Sequence, residues 1–325
     1  MANTRSFAAW AGGTLTAMFF GGVGLIATAQ PATALTITPF FDTSAAAGNF
    51  TPVTPAQQTV ISNAISFYQN TFIDPITVNI EFRTTLSAGG ASSAALAYPS
   101  YAAYTASLLA DGLLYNNTVE LTGVANLATG NMAQQIRDTT ADCRALLGAC
   151  AGTLAGVGSV TQNGLDGIIT VGAGNYGNAA VTEHEIDEIL GIGGWGTILG
   201  DPQIVNGKTT IGPLDLYRYS AVGTPSLTTN TMATSYLSVD GGMTSIASFN
   251  QSGVGDYGDY TTNPCLVQSF QVCANPAAIG ANSPEGLALQ AIGYDLPEPS
   301  GLALLATGIG AFGLFGCRRL GLTQS

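Results

Sequence analysis

The clearest pattern in the interior of the chain is a run of apolar residues at helical spacing. Across PAQQTVISNAISFYQNTF, residues 55–72, Val60, Ile61, Ala64, Ile65, Phe67 and Tyr68 recur on one side, which predicts an amphipathic helix. The next segment switches period. In DPITVNIEFRTTL, residues 74–86, Ile76, Val78, Ile80 and Phe82 alternate with polar neighbours, the pattern of a strand with one buried face. LTITPFFD at 35–42 predicts a strand that opens the fold. Two further helices are expected at 99–111 and 131–147, the second with Ile136, Leu146 and Leu147 as core positions. Between 87 and 98 the chain is mostly Ala, Ser and Gly with almost no pattern, which reads as a loop. LDGIITVGAGN at 165–175 holds a short apolar strand, and a helix over 181–190 begins a few residues later. No internal repeat stands out. Helices and strands in this order predict an α+β fold.

The two ends carry patterns of a different kind. Arg5 precedes the apolar and small-residue run FAAWAGGTLTAMFFGGVGLIA, which is followed by Ala27-Thr28-Ala29 and Ala32-Thr33-Ala34. This predicts a secretory signal peptide over 1–29, with an uncleaved anchor as the alternative. At the other end Gly301–Cys317 is apolar for 17 residues, at the short edge of a membrane span, and Arg318 and Arg319 follow it as a cytoplasmic stop. The segment from Pro297, Pro297-Glu298-Pro299-Ser300, then the apolar span, then paired arginines, resembles the PEP-CTERM sorting signal. That resemblance implies a Gram-negative bacterium, export machinery, and a membrane-embedded sorting enzyme that removes residues 297–325. The protein would be held transiently in the membrane by 301–317 and end at the cell surface or outside the cell. Residues 30–296 are then the folded part, enough for one large domain.

Charge narrows the partners. Residues 30–296 carry 5 Lys and Arg against 19 Asp and Glu, a net charge of −14. There is no basic surface to neutralise phosphates, so nucleic acid is excluded as an expected partner. Of the five cysteines, Cys317 belongs to the tail. The others form two short-spaced pairs, Cys143/Cys150 and Cys265/Cys273, for which two local disulfides are the simplest pairing in an oxidising compartment.

The candidate chemistry lies in VTEHEIDEILGIGG, residues 181–194, which holds the only histidine. On a helix, His184 and Glu188 stand one turn apart on the same face, the spacing that lets an HExxH helix bind zinc through two side chains. Zinc accepts carboxylate oxygen as well as imidazole nitrogen, so Glu188 can take the place of the second histidine. Glu185 is offset by one residue, as a general base would be, and can move a proton between the attacking water and the leaving amine. Thr182 as N-cap with Glu185 three residues later is also a capping box, a competing use of the same carboxylate. Glu183 and Asp187 are expected to face solvent. Gly191 should end the helix in a left-handed conformation. Where longer zinc motifs return a third ligand, this chain has Gly194, so the ligand must come from elsewhere.

Asp215, in GPLDLYRYS, is the nearest candidate because its surroundings are aromatic and apolar; pairing with Arg218 or capping a turn is the alternative. Tyr217 and Tyr219 are candidate donors to an oxyanion or to substrate, or ordinary core residues. The acidic, glycine-rich stretch beyond 239 offers Asp240, Asn250, Asp256 and Asp259 as candidate oxygen ligands for a structural Ca²⁺, although the spacing is not that of an EF-hand and turn capping explains it equally.

Several segments together resemble a family of secreted zinc metalloproteases that often carries the PEP-CTERM tail. They are FIDPITVNIEF at 72–82, EHEIDEILG at 183–191, PLDLYRYSAVG at 213–223, YLSVDGG at 236–242, ASFNQSGVGDYGDY at 247–260 and LALQAIGYDLPEPS at 287–300. The resemblance implies a zincin-like fold whose helix natively reads HExxE, with Zn²⁺ as cofactor and protein or peptide as substrate. Members often have an arginine after the helix glycine, where this chain has Ile192. The expected function is an exported zinc endopeptidase using His184, Glu188 and Asp215 as ligands and Glu185 as base. The alternatives are a catalytically inactive surface or matrix protein that keeps the same shell, or a hydrolase of another amide or a polysaccharide. Glycosidase action fits poorly, since Glu185 and Glu188 share one helix face and cannot flank a sugar bond.

Overall fold

The computed structural model describes residues 34–44, 49–128, 133–150, 152–154, 164–176, 178–271, 273 and 275–297. The expected signal peptide over 1–29, the tail from 298 and the candidate span 301–317 lie outside these residues. Among the described residues no helix is long and apolar enough to cross a membrane.

The first two strands are β1 (Thr36–Phe41) and β2 (Phe50–Thr51). Helix α1 (Pro55–Thr71) follows, and its start is set chemically. Pro55 opens the first turn, while Thr54 and Gln57 exchange side-chain to backbone hydrogen bonds in a capping box. Its buried residues Ile61, Ala64, Ile65 and Tyr68 belong to the predicted stripe, and Val60 and Phe67 are partly buried beside them. The alternating segment becomes β3 (Thr77–Thr85), with Val78, Ile80, Phe82 and Thr84 buried. β1 and β3 pair in parallel, with α1 as the crossover between them.

The segment expected to be a loop is instead a strand, β4 (Gly90–Ala97). Its sequence, GASSAALA, shows no apolar alternation because the site helix lies against it, and large side chains would hold that helix away. A Cβ at Gly90 would lie 2.2 Å from Glu185 Oε1. Helices α2 (Tyr101–Tyr115) and α3 (Thr118–Val124) come next, capped by Ser100 and Asn117. The helix expected over 131–147 is shorter. Residues 135–139 make two short strands, β5 (Gln135–Ile136) and β6 (Asp138–Thr139), and only Thr140–Leu147 is helical, as α4. Thr139 explains the boundary, since its side chain accepts the Asp142 N–H and so starts the helix there. Ile136 and Leu146 are buried as expected.

After β7 (Thr153–Leu154) the apolar run forms β8 (Gly167–Gly172), parallel to β3 and antiparallel to β4. The sheet order is β1-β3-β8-β4-β6, with β2 on β3 and β7 on β4. Helix α5 (Ala179–Leu190) leaves β8 through a short turn and packs on β4, β8 and α1. The remaining chain is loop-rich. It holds a small sheet of β9 (Ile204–Val205) and β10 (Lys208–Ile211) with β5, and another of β11 (Arg218–Ala221), β12 (Thr224–Pro225), β13 (Tyr236–Leu237) and β14 (Ala247–Ser248). It ends in α6 (Pro284–Ile292). The architecture is α+β. Both local cysteine pairs form as expected, with Cα atoms 5.9 Å apart in Cys143–Cys150 and 6.0 Å apart in Cys265–Cys273.

Asp187 does not face solvent. It is fully buried, and Glu183 is half-buried, because α1 covers that side of α5. The Tyr68 hydroxyl lies 2.8 Å from Asp187 Oδ1 and 2.9 Å from the Glu183 carbonyl. Burial, with Glu285 nearby, pushes the Asp187 carboxyl well above the usual carboxylate range. A protonated Asp187 can donate through Oδ1 to Tyr68 while Tyr68 donates to Glu183, so one hydroxyl bonds both neighbours. Tyr68→Phe should therefore cost about 1–3 kcal/mol by stranding buried polar atoms. Urea unfolding measures it, and a midpoint equal to the parent's would refute the role.

Candidate metal centre

The site helix starts earlier than its sequence suggests. Asn178 is the cap, accepting the Ala180 N–H at 3.1 Å, so Thr182 is buried inside the helix and Glu185 is not at a capping position. The competing capping-box role is thereby removed. Gly191 ends the helix at φ 109°, the left-handed conformation expected of it. The chain then doubles back, and the Gly194 N–H donates to Glu188 Oε1 at 2.9 Å. A side chain at 194 would push the cleft carboxylates aside. Its Cβ would lie 2.8 Å from both Asp256 Cγ and Glu188 Oε1. The position that supplies a ligand in longer zinc motifs supplies a backbone donor here.

Three donor atoms converge in front of this helix. His184 Nδ1 lies 3.0 Å from the Val267 carbonyl, which can only accept, so Nδ1 carries the proton and neutral His184 keeps its lone pair on Nε2. Nε2 stands 4.0 Å from Glu188 Oε1 and 3.9 Å from Asp259 Oδ2. One donor atom from each of the three residues lies within 4.8 Å of the others. Asp259 arrives on the glycine-rich loop, and its approach depends on Gly258, where a Cβ would lie 1.7 Å from the Gly193 carbonyl oxygen. Gln268 Nε2 holds the other Asp259 oxygen at 2.9 Å. Glu188 Oε2 accepts from Ser92 Oγ at 2.5 Å, and Ser92 accepts from Trp195 Nε1 at 2.9 Å. Each candidate ligand is thus oriented by a second residue, as metal ligands require.

The electrostatics favour a cation. Burial alone would lower the His184 pKa, but Asp259, Glu188 and Glu185 outweigh it and raise it to about 10, so without an ion Nε2 also holds a proton, which a bound metal would displace. Burial pushes Asp259 up to about 7, and burial with Glu188 beside it pushes Glu185 well above its ordinary value. Asp256 is raised by burial and by Glu188. Glu185, Glu188, Asp256 and Asp259 line one cleft of about 500 Å³ with a single histidine to balance them. Imidazole nitrogen with carboxylate oxygen suits Zn²⁺. Donors around a tetrahedral zinc stand about 3.4 Å apart by its bond lengths, so these donors, now within 4.8 Å of one another, would draw in around an ion.

Asp215 is not in this group. It is fully buried and accepts from Thr197 Oγ1 at 2.6 Å, Ile198 N–H at 2.9 Å and Gly212 N–H at 2.8 Å, with Arg218 Nε at 3.6 Å. Its apolar surroundings called for partners, and backbone donors and Arg218 supply them. Arg218 in turn stacks on Phe249 and donates to the Tyr257 carbonyl, two residues before Asp259. Tyr217 donates to the Ala291 carbonyl and Tyr219 to the Asn126 carbonyl; both are buried away from the cleft. The four candidate calcium ligands do not converge either. Asp240 is bonded by Ser238 and Thr244, and Asn250 by the Val254 and Asp256 carbonyls and by Ser252, which leaves Asp256 and Asp259 in the cleft. Ile192 is a buried core residue.

No sequence pattern singles out Ser92, Trp195, Val267 or Gln268. Ser92 sits in the patternless strand, and Val267 acts through its carbonyl, which no side-chain motif records. The chain matches no protein-family model, no curated protein and no solved structure.

Asp215→Ala should destabilise the protein by about 3–5 kcal/mol, because it leaves the buried Arg218 charge uncompensated. The folded fraction should still take up metal at His184. Parental stability in urea with lost metal uptake would contradict this assignment.

Proposed function

We propose that this chain is an exported zinc endopeptidase of zincin-like type, with His184, Glu188 and Asp259 holding the metal and Glu185 as general base. The observation that carries the reading is the convergence of those three donors on a cleft that also holds Glu185. Zinc bound there would polarise the scissile carbonyl and make the attacking water more acidic. Glu185 takes the proton from that water and returns it to the leaving amine. Burial and the neighbouring Glu188 raise its pKa, which makes it a stronger base than an exposed carboxylate. Strand β4 passes along the cleft at Gly90–Ser92, where an extended peptide can lie. Beside it is a recess of about 190 Å³ with Val181, Leu266, Val267, Phe270 and Pro276 in its wall, suited to an apolar side chain of the substrate.

The resemblance of EHEIDEILG and its companion segments to secreted zinc metalloproteases supports the same reading, with the third ligand moved from Asp215 to Asp259. Two disulfides fit an oxidising compartment and hence export, as the tail's resemblance implies.

Glu185→Gln should keep its zinc and lose turnover on a peptide library by about 10²–10⁴-fold. Undiminished cleavage by that variant would remove Glu185 as the base. A parent protein that binds zinc yet cleaves nothing would favour the binding-protein reading.

A further inference from the structure

A second group of carboxylates lies away from the cleft, where α2, α3 and the segment after α6 meet. Asp111, Glu120 and Asp295 each place a carboxylate oxygen within 4.8 Å of the other two. Glu120 is fully buried, and neither of its oxygens has a hydrogen-bond partner. Asp295 is 1 % exposed and its Oδ2 is unpartnered, as is Asp111 Oδ2. The other Asp295 oxygen is tied by Asn117 Nδ2 at 3.2 Å, which leaves Oδ2 facing the group. Asp74 adds a fourth carboxylate nearby, its Oδ2 accepting the Asp295 N–H at 3.1 Å.

Among the described residues no basic side chain serves this group. Arg83, Arg137, Arg144 and Arg218 pair with Glu81, Asp201, Asp166 and Asp215, His184 lies in the cleft, and Lys208 is exposed. Uncompensated buried carboxylates are costly unless a proton or a cation neutralises them. Protons can bridge carboxyls only in pairs, as between Asp111 and Asp295, and such a bridge leaves Glu120 without a partner. A hard cation satisfies all the free oxygens at once.

We propose that Asp111, Glu120 and Asp295 bind a structural Ca²⁺. The donors are oxygen only, without histidine or cysteine, the set calcium prefers over zinc, and backbone carbonyls or water complete its shell. The ion would staple the last described segment to α2 and α3. The neighbouring Tyr294 hydroxyl donates to the Leu190 carbonyl at 2.9 Å, so the staple also braces the C-terminal end of the site helix. This assignment does not rest on the protease reading.

The test is thermal unfolding of the full chain during a calcium titration at fixed trace zinc, for the parent, Glu120→Gln and His184→Ala. The parent's midpoint should rise saturably by about 5 °C. His184→Ala should keep that rise, and Glu120→Gln should lose it while retaining zinc. Should Glu120→Gln not fold, Asp111→Asn replaces it, with the same loss expected. A parent midpoint indifferent to calcium, or a calcium response that survives in these Glu120 and Asp111 variants, would overturn the site.

Discussion

The cleft depends first on one hydrogen bond, from His184 Nδ1 to the Val267 carbonyl. A lone imidazole can present only one nitrogen as a lone pair, and this contact decides which. It turns Nε2 towards Glu188 and Asp259 instead of leaving the ring free to rotate. The carbonyl is itself anchored. The Gln268 N–H donates to Glu285 on α6, the Tyr260 N–H donates to the Gln268 carbonyl, and Cys265–Cys273 closes the loop. The same loop section brings Asp259, so one structural unit sets the tautomer and delivers a carboxylate.

The opposite wall is just as constrained. β4 must be made of small residues for α5 to lie close, and that closeness lets Ser92 reach Glu188. The turn after α5 contributes a backbone N–H at Gly194 where a side chain would collide. Asp215 and Arg218, buried together, act at one remove by holding Tyr257 beside the acidic loop. Three parts of the chain far apart in sequence thus meet at a single histidine.

Much of this is legible in the amino-acid sequence. α1 and β3 have strong periodicity because each buries one face, and the HExxE helix follows from spacing alone. Gly191 is readable as a terminator because a helix that ends sharply needs a left-handed residue. What stays hidden has a physical cause in each case. β4 lacks large side chains, so its pairing leaves no trace of alternation. Residues 135–139 sit in a helix-like pattern, yet Thr139 caps and thereby starts the helix late. Asp215 stands out because a buried aspartate needs partners, but nothing in its neighbours' identities says that backbone N–H groups would provide them. Asp259, among glycines, reads as a turn residue or a calcium ligand, and nothing nearby in sequence ties it to His184. Only the close approach of Gly258 to Gly193 reveals that the loop folds onto the site helix.

His184, Glu188 and Asp259 are proposed to share one metal ion. Crystals grown with zinc and measured at wavelengths on either side of its absorption edge test this directly. An anomalous peak is expected within bonding distance of His184 Nε2, Glu188 and Asp259, with Asp215 remote from it. A well-ordered cleft with no zinc peak, or a peak bonded to Asp215, would contradict that ligand set.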